Sequence, residues 1–222
     1  MHTGHIWLVA SAAVLMGCGS SPQEPIATAP AAAGEVDYLA GIVTATPPDT
    51  PETLAAKRTQ LESHLKLAQE SADRGDLDQA IGLLEDAVML DPKHRTVLLL
   101  LTQYLYRQSV ALEREDPRRS YLLLRQSGGY QRMLGDAHHE FSAEERELFA
   151  SVLFDEARAY ARASRQEDFS GSLSAAIEAG FDDLARLRTE PDFEPLRSDE
   201  KMSAVLKDAE RRIEARAAQQ PQ

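Results

Sequence analysis

The stretch GDLDQAIGLLEDAVMLDP, from Gly75 to Pro92, constrains the fold more than any other part of the chain. It reads as a turn, an amphipathic helix and a stop. Gly75 and Asp76 make the turn, and the Asp76 carboxylate can accept a hydrogen bond from the first free N–H groups of the helix. Leu77, Ala80, Ile81, Leu84, Ala87, Val88 and Leu90 then recur at three- and four-residue spacing and form one apolar stripe. Pro92 cannot extend a helix and pushes Asp91 out of helical geometry. Ala80 and Ala87 lie on the stripe and let a neighbouring helix approach closely. A helix of this kind cannot bury its stripe alone, so the pattern predicts stacked helical neighbours.

A preceding helix is predicted over 53–74, and it supplies Leu61, Leu65, Leu67, Ala68 and Ala72. Helix, glycine-aspartate turn, alanine-bearing helix and terminal Leu90-Asp91-Pro92 together resemble a tetratricopeptide repeat, a unit of about 34 residues. Leu67, Ala68, Gly75, Leu77, Ala80, Ile81, Leu84, Ala87, Leu90 and Pro92 follow the family pattern. His64 and Ser71 depart from it, standing where a large apolar residue and an aromatic are usual. The resemblance implies an all-α fold: a short right-handed solenoid of antiparallel helix pairs whose first helices line a concave, partner-binding surface. It names no particular partner, because such repeats serve many.

The N-terminus reads as an address. Ile6 to Met16 is an apolar run of signal-peptide length, too short for an ordinary membrane span. It leads into Leu15-Met16-Gly17-Cys18, and Cys18 is the only cysteine, which leaves no intrachain disulfide. Leucine, a spacer, glycine and cysteine resemble the lipobox of bacterial lipoproteins, although the first five residues hold no Lys or Arg. The resemblance implies cleavage after residue 17, acylation of Cys18 and a periplasm-facing lipid anchor. Gly19, rather than Asp, favours the outer membrane. Several acyl chains hold firmly, since each buried CH₂ contributes about 0.8 kcal/mol. Residues 18–51, rich in Ser, Pro, Ala and Thr, are expected to form a flexible tether. The helical domain is expected over 52–218, with a frayed tail at 219–222.

Within that domain a long helix is expected from His94 or Arg95 to about Arg114, with Val97, Leu98, Leu101, Leu105 and Leu112 as its apolar face. Asp116-Pro117 starts the next helix, and Gly128-Gly129 reads as its end, with a shorter piece over 130–134. Ser142-Ala143-Glu144-Glu145 is a capping box. It opens a helix to about residue 164, and a partner follows over 169–179. The clearest repeats therefore fall at about 61–94 and 150–180, separated by an irregular middle. From Phe181 the sequence resembles the closing segment of bacterial repeat proteins. Phe181, Leu184 and Leu187 would seal the apolar edge beneath a final helix from about 198 to 217.

No catalytic constellation emerges. His138-His139-Glu140 lacks the helical spacing of a metal pair, and no phosphate loop, dinucleotide fingerprint or nucleophile elbow is present. No enzyme activity, cofactor or metal is expected. A formal net charge of -12, from 36 acidic and 24 basic side chains, argues against nucleic acid as a partner. By the family register, the partner groove would carry Gln69 and Asp73 from the first pair. Gln103, Tyr106 and Arg107 would come from the second, and Phe154, Arg158 and Arg162 from the third. The expected function is a membrane-anchored protein–protein scaffold of the cell envelope, serving assembly or peptidoglycan enzymes. Two alternatives stand beside it. One is a metal-dependent or other hydrolase with a site around His94, His138, His139 and Glu140. The other is a self-associating lipoprotein that forms a homodimer.

Overall fold

The structure is a computed structural model that describes residues 49–219. The expected signal peptide, Cys18, nearly all of the expected tether and residues 220–222 lie outside the described residues. Within them the regular structure is helical throughout, with no strand. The helices are α1 (Pro51–Asp73), α2 (Leu77–Leu90), α3 (Arg95–Leu112), α4 (Pro117–Ala137), α5 (Ala143–Arg162) and α6 (Gln166–Ala179). There follow α7 (Leu184–Thr189), a 3₁₀ turn (Pro191–Phe193), α8 (Glu194–Arg197) and α9 (Glu200–Gln219). Short connections make α1/α2, α3/α4 and α5/α6 antiparallel neighbours, and these three pairs form the most extensive helix contacts. Each pair also touches the next in chain order, and the segment from α7 onward packs on α5 and α6. No helix among the described residues is long and apolar enough to cross a membrane.

Local chemistry sets the boundaries. Thr50, Asp76, Asp116 and Ser142 cap their helices through side-chain oxygens, and Pro51 and Pro117 occupy first-turn positions. The Ser142–Glu145 capping box is complete, with both reciprocal bonds made. Glu145 also acts across helices. Its carboxylate accepts from Arg95 Nη2 at 2.8 and 2.6 Å, which links the start of α5 to the start of α3.

The α1–α2 and α5–α6 turns are built alike. After α1, Gly75 sits at φ +84°, its N–H donates to Ala72 O, and Asp76 N–H donates to Ser71 O. After α5, Ser164 sits at φ 57°, its N–H donates to Ala161 O, and Arg165 N–H donates to Tyr160 O. Both are Schellman caps, but serine occupies the left-handed position that glycine holds in the first. The turn falls where the sequence places it, after about residue 164, but with no glycine to mark its end α6 begins at Gln166 rather than at Phe169.

The expected break at Gly128-Gly129 is corrected. Helix α4 runs through both glycines to Ala137, and no separate piece exists over 130–134. The reason is a side chain from α5. A Cβ on Gly128 would collide with the Glu156 carboxyl oxygen Oε1, so the missing side chain is a slot for a carboxyl group rather than a stop.

Two large apolar clusters form the core. Leu61, Ala68, Ile81, Leu84, Ala87, Val97, Leu101, Leu105 and Leu123 join α1 to α4. The other unites α5 and α6 with the C-terminal segment, where Phe154 stacks on Phe181 at 4.1 Å between centroids and Phe193 meets both Phe154 and Phe169 edge-on. Smaller clusters around Leu98, Leu134 and Phe149, and around Leu124, Val152 and Ala159, bridge the two. Leu187 and Met202 are fully buried in the second cluster, and Arg216 of α9 donates to Ile177 O near the end of α6.

Serine in the left-handed region carries a steric cost that glycine lacks, partly offset by glycine's freer unfolded chain. Ser164→Gly is expected to stabilise the domain by about 0.5–1 kcal/mol, and Gly75→Ala to destabilise it by about 1 kcal/mol. Urea unfolding followed by circular dichroism checks both; no gain from the first would mean that the turn relaxes around serine.

Candidate functional site

The structure divides the eight predicted groove residues into two groups. Gln69 and Asp73 on α1, and Gln103 and Arg107 on α3, are exposed and make no side-chain hydrogen bond or ion pair among the described residues. Each pair sits four residues apart on its helix and so shares a face. Apolar residues of both helices share the first core cluster. Burial, then the Asp73 carboxylate, push the Tyr104 hydroxyl above its ordinary range while Arg107 pulls it back, so both charges reach the same tyrosine. This patch offers two carboxamides, one anion and one cation, all free to meet another molecule.

The other four are committed within the chain. Phe154 is a correction: it is fully buried and lies beneath Arg186, whose guanidinium carbon stands 4.5 Å from the ring centroid. The repeat register placed it on the outward face, but the C-terminal segment covers that side of α5. Tyr106 is half-buried and donates its hydroxyl to Asp155 Oδ2 at 2.8 Å. Arg158 and Arg162 are not free cations either. Arg158 donates to Asp155 Oδ1 at 3.0 Å and to Glu113 Oε1 at 2.9 Å, and Arg162 donates to the same Glu113 oxygen at 2.9 Å and to Asp192 Oδ2 at 3.2 Å.

These contacts belong to one ion cluster. Asp155 also accepts from Arg186 Nη2 at 2.6 Å. Arg158 Nε stands 3.0 Å from Glu190 Oε2 and 3.2 Å from Asp192 Oδ2, near enough for charge attraction but out of line for a hydrogen bond. Four carboxylates and three guanidiniums thus join α3, α5, α7 and the 3₁₀ turn. Asp155 and Glu190 are each only 7% exposed, so the pairing is what makes their ionised forms tolerable there. Burial works against the Arg158 charge, yet the Asp155 hydrogen bond and charge outweigh it and hold the guanidinium above its ordinary value. Burial likewise opposes Glu113, but Arg162 and Arg158 overcome it and lower its pKa. Burial and Asp155 together push the Tyr106 hydroxyl well above the usual tyrosine range, which keeps it a neutral donor.

Asp155, Glu190 and Arg186 are not among the residues that the sequence pattern singles out. The one available signal is an acidic pair, Asp155-Glu156, set among apolar residues of a helix hemmed in by α4, α6 and the closing segment. The histidines hold local structure. His94 Nδ1 accepts from Val97 N–H at 3.4 Å and caps α3, and His138 Nε2 lies 3.0 Å from Lys93 O. His139 and Glu140 are exposed. Among the described residues no three His, Cys, Asp or Glu side chains are grouped so as to hold a metal ion. Compared with family models, with curated proteins and with solved structures, the chain shows no significant match to any of them.

The two groups of arginines are expected to behave oppositely. Arg158→Ala leaves Asp155 with Tyr106 and Arg186 but takes away the guanidinium that faces the buried Glu190, and should cost about 3–5 kcal/mol. Arg158→Lys should recover little of it, because one ammonium cannot reach several carboxylates as a guanidinium fork does. Arg107→Ala should stay within about 0.5 kcal/mol of the unsubstituted chain. Urea denaturation of the three variants measures this; a tolerated Arg158→Ala would remove the structural role assigned to the cluster.

Proposed function

We propose that this chain is a tetratricopeptide-like scaffold, held at a membrane by acyl chains on Cys18, that binds a protein partner in the bacterial cell envelope. It acts without chemistry of its own. The observation that carries this reading is the uncommitted patch of Gln69, Asp73, Gln103 and Arg107, set on the first helices of two successive antiparallel helix pairs. The Gly75-Asp76 turn, the small residues Ala80 and Ala87 buried between helices, and Pro92 after α2 support the repeat assignment. The apolar run ending at Leu15-Met16-Gly17-Cys18 supports the anchor. A lipidated cysteine, a tether and a polar patch together suit a receptor that faces the periplasm from the outer membrane and gathers assembly or peptidoglycan enzymes there. The patch is amphoteric, so its partner would present both a carboxylate for Arg107 and a donor or cation for Asp73.

Expression of the full chain in a bacterium with an alkyne-bearing fatty acid tests the anchor. Label should enter the unsubstituted protein and its membrane fraction, and Cys18→Ser should lose both. Equal labelling of the two would overturn the anchor. Charge reversal of the patch, Asp73→Arg with Arg107→Asp, should abolish co-purification of the partner captured by the unsubstituted protein while leaving the unfolding transition in place. Unchanged recovery would overturn the assignment of the patch.

A further inference from the structure

The outward face of α4 carries a pattern independent of the α1/α3 patch and of the anchor. The helix packs on α3 and α5, and Leu123, Ser127, Gln131 and Leu134 are buried on its inward side. On the opposite side Leu122, Gln126, Gly129 and Met133 follow one another at spacings of four, three and four residues. That is the spacing of the seam along which two helices pack side by side. Leu122 is 55% exposed and Met133 39%, and a Cβ on Gly129 would meet nothing within 4 Å. The seam thus presents two open apolar side chains with a shallow place between them, and Asp136 ends it. One flank of the seam is basic. Arg118, Arg125 and Arg132 recur every seven residues and line up along the helix about 10.5 Å apart. All three are exposed. Arg118 and Arg125 have no carboxylate partner among the described residues, and Arg132 has only Glu156, at 3.6 Å. Arg125 rests over the Tyr121 ring, 6.0 Å from its centroid. A row of like charges repels itself, and this one stands unneutralised in a chain whose net charge is -12.

We propose that this face of α4 docks an acidic amphipathic helix of a protein partner. An apolar side chain of that helix would settle over Gly129, between Leu122 and Met133. Its carboxylates, on the flank of its own seam, would meet Arg118, Arg125 and Arg132, each guanidinium offering a fork that matches a carboxylate. Charges that flank a helical seam in this way select the partner and fix its register. A helix fits this face better than an anionic membrane does. Lipid headgroups call for neither a seam nor a seven-residue spacing, and a net charge of -12 opposes approach to an anionic surface.

Fluorescence anisotropy with the full chain tests the face, using a labelled three-heptad designed peptide with leucine at its seam positions and glutamate on both flanks. It should bind with one site per chain. A peptide with lysine on the flanks, and one of the same composition with the leucines moved off the seam, should each bind at least tenfold more weakly. Arg125→Glu should weaken the glutamate peptide tenfold or more and Met133→Lys about fivefold, both with the unfolding transition retained. The exchange Asp73→Arg with Arg107→Asp should leave its affinity unchanged, so this face and the α1/α3 patch stand or fall separately. No binding of the glutamate peptide, equal binding of the rearranged one, or full binding by Arg125→Glu would overturn the proposal. Two further results would overturn it by assigning the face elsewhere. One is sedimentation with phosphatidylglycerol vesicles that Arg125→Glu abolishes, which indicates a membrane. The other is a concentration-dependent doubling of mass in light scattering that the same variant abolishes, which indicates a second copy of the chain.

Discussion

The buried pairing of Arg158 with Asp155 is the interaction on which the rest of the domain depends. Asp155 sits on a helix covered on nearly every side, where a lone carboxylate would cost several kcal/mol. Three donors converge on it: Tyr106 from α3, Arg158 from its own helix and Arg186 from α7. Arg158 in turn reaches Glu113, which caps the end of α3, and faces Glu190 and Asp192 of the closing segment. Apolar stripes alone let helices slide and rotate against one another. An ion cluster with fixed hydrogen-bond geometry does not, so the cluster sets how the closing segment seats on α5 and how α5 sits against α3.

That arrangement separates two kinds of surface. The C-terminal half spends its polar side chains on itself. Arg162, Arg186, Arg188, Arg212 and Arg216 all bond to other parts of that half or to Glu113. The N-terminal half leaves Gln69, Asp73, Gln103 and Arg107 unpaired on neighbouring helices among the described residues. A chain with a net charge of -12 that keeps one cation open beside one anion there presents a local pattern rather than a bulk field. Such a pattern suits recognition of a specific partner more than nonspecific adhesion.

Much of the fold was legible in the sequence, and what was missed has physical causes. Asp76, Pro92, Asp116-Pro117 and the Ser142–Glu145 box act within a few residues, and the helices start and stop where these place them. The turn at Ser164 was placed, but α6 starts three residues earlier than expected, because the left-handed residue that ends the turn is ordinarily flagged by glycine. Gly128 misled for the opposite reason: it serves a tertiary contact with Glu156, which no local pattern announces. The candidate site was half legible. Helical spacing found the exposed residues of α1 and α3. It could not foresee that the closing segment would cover Phe154 and capture Arg158 and Arg162, because those partners lie far away along the chain.

If the α1/α3 face of a membrane-anchored chain is where a partner docks, site-specific photocrosslinking in intact cells measures it most directly. A photoreactive residue at Gln103 should give a discrete adduct in the membrane fraction, and one at Lys207, exposed on α9, should not. The same adduct from both positions, or none from Gln103, would contradict docking at this face.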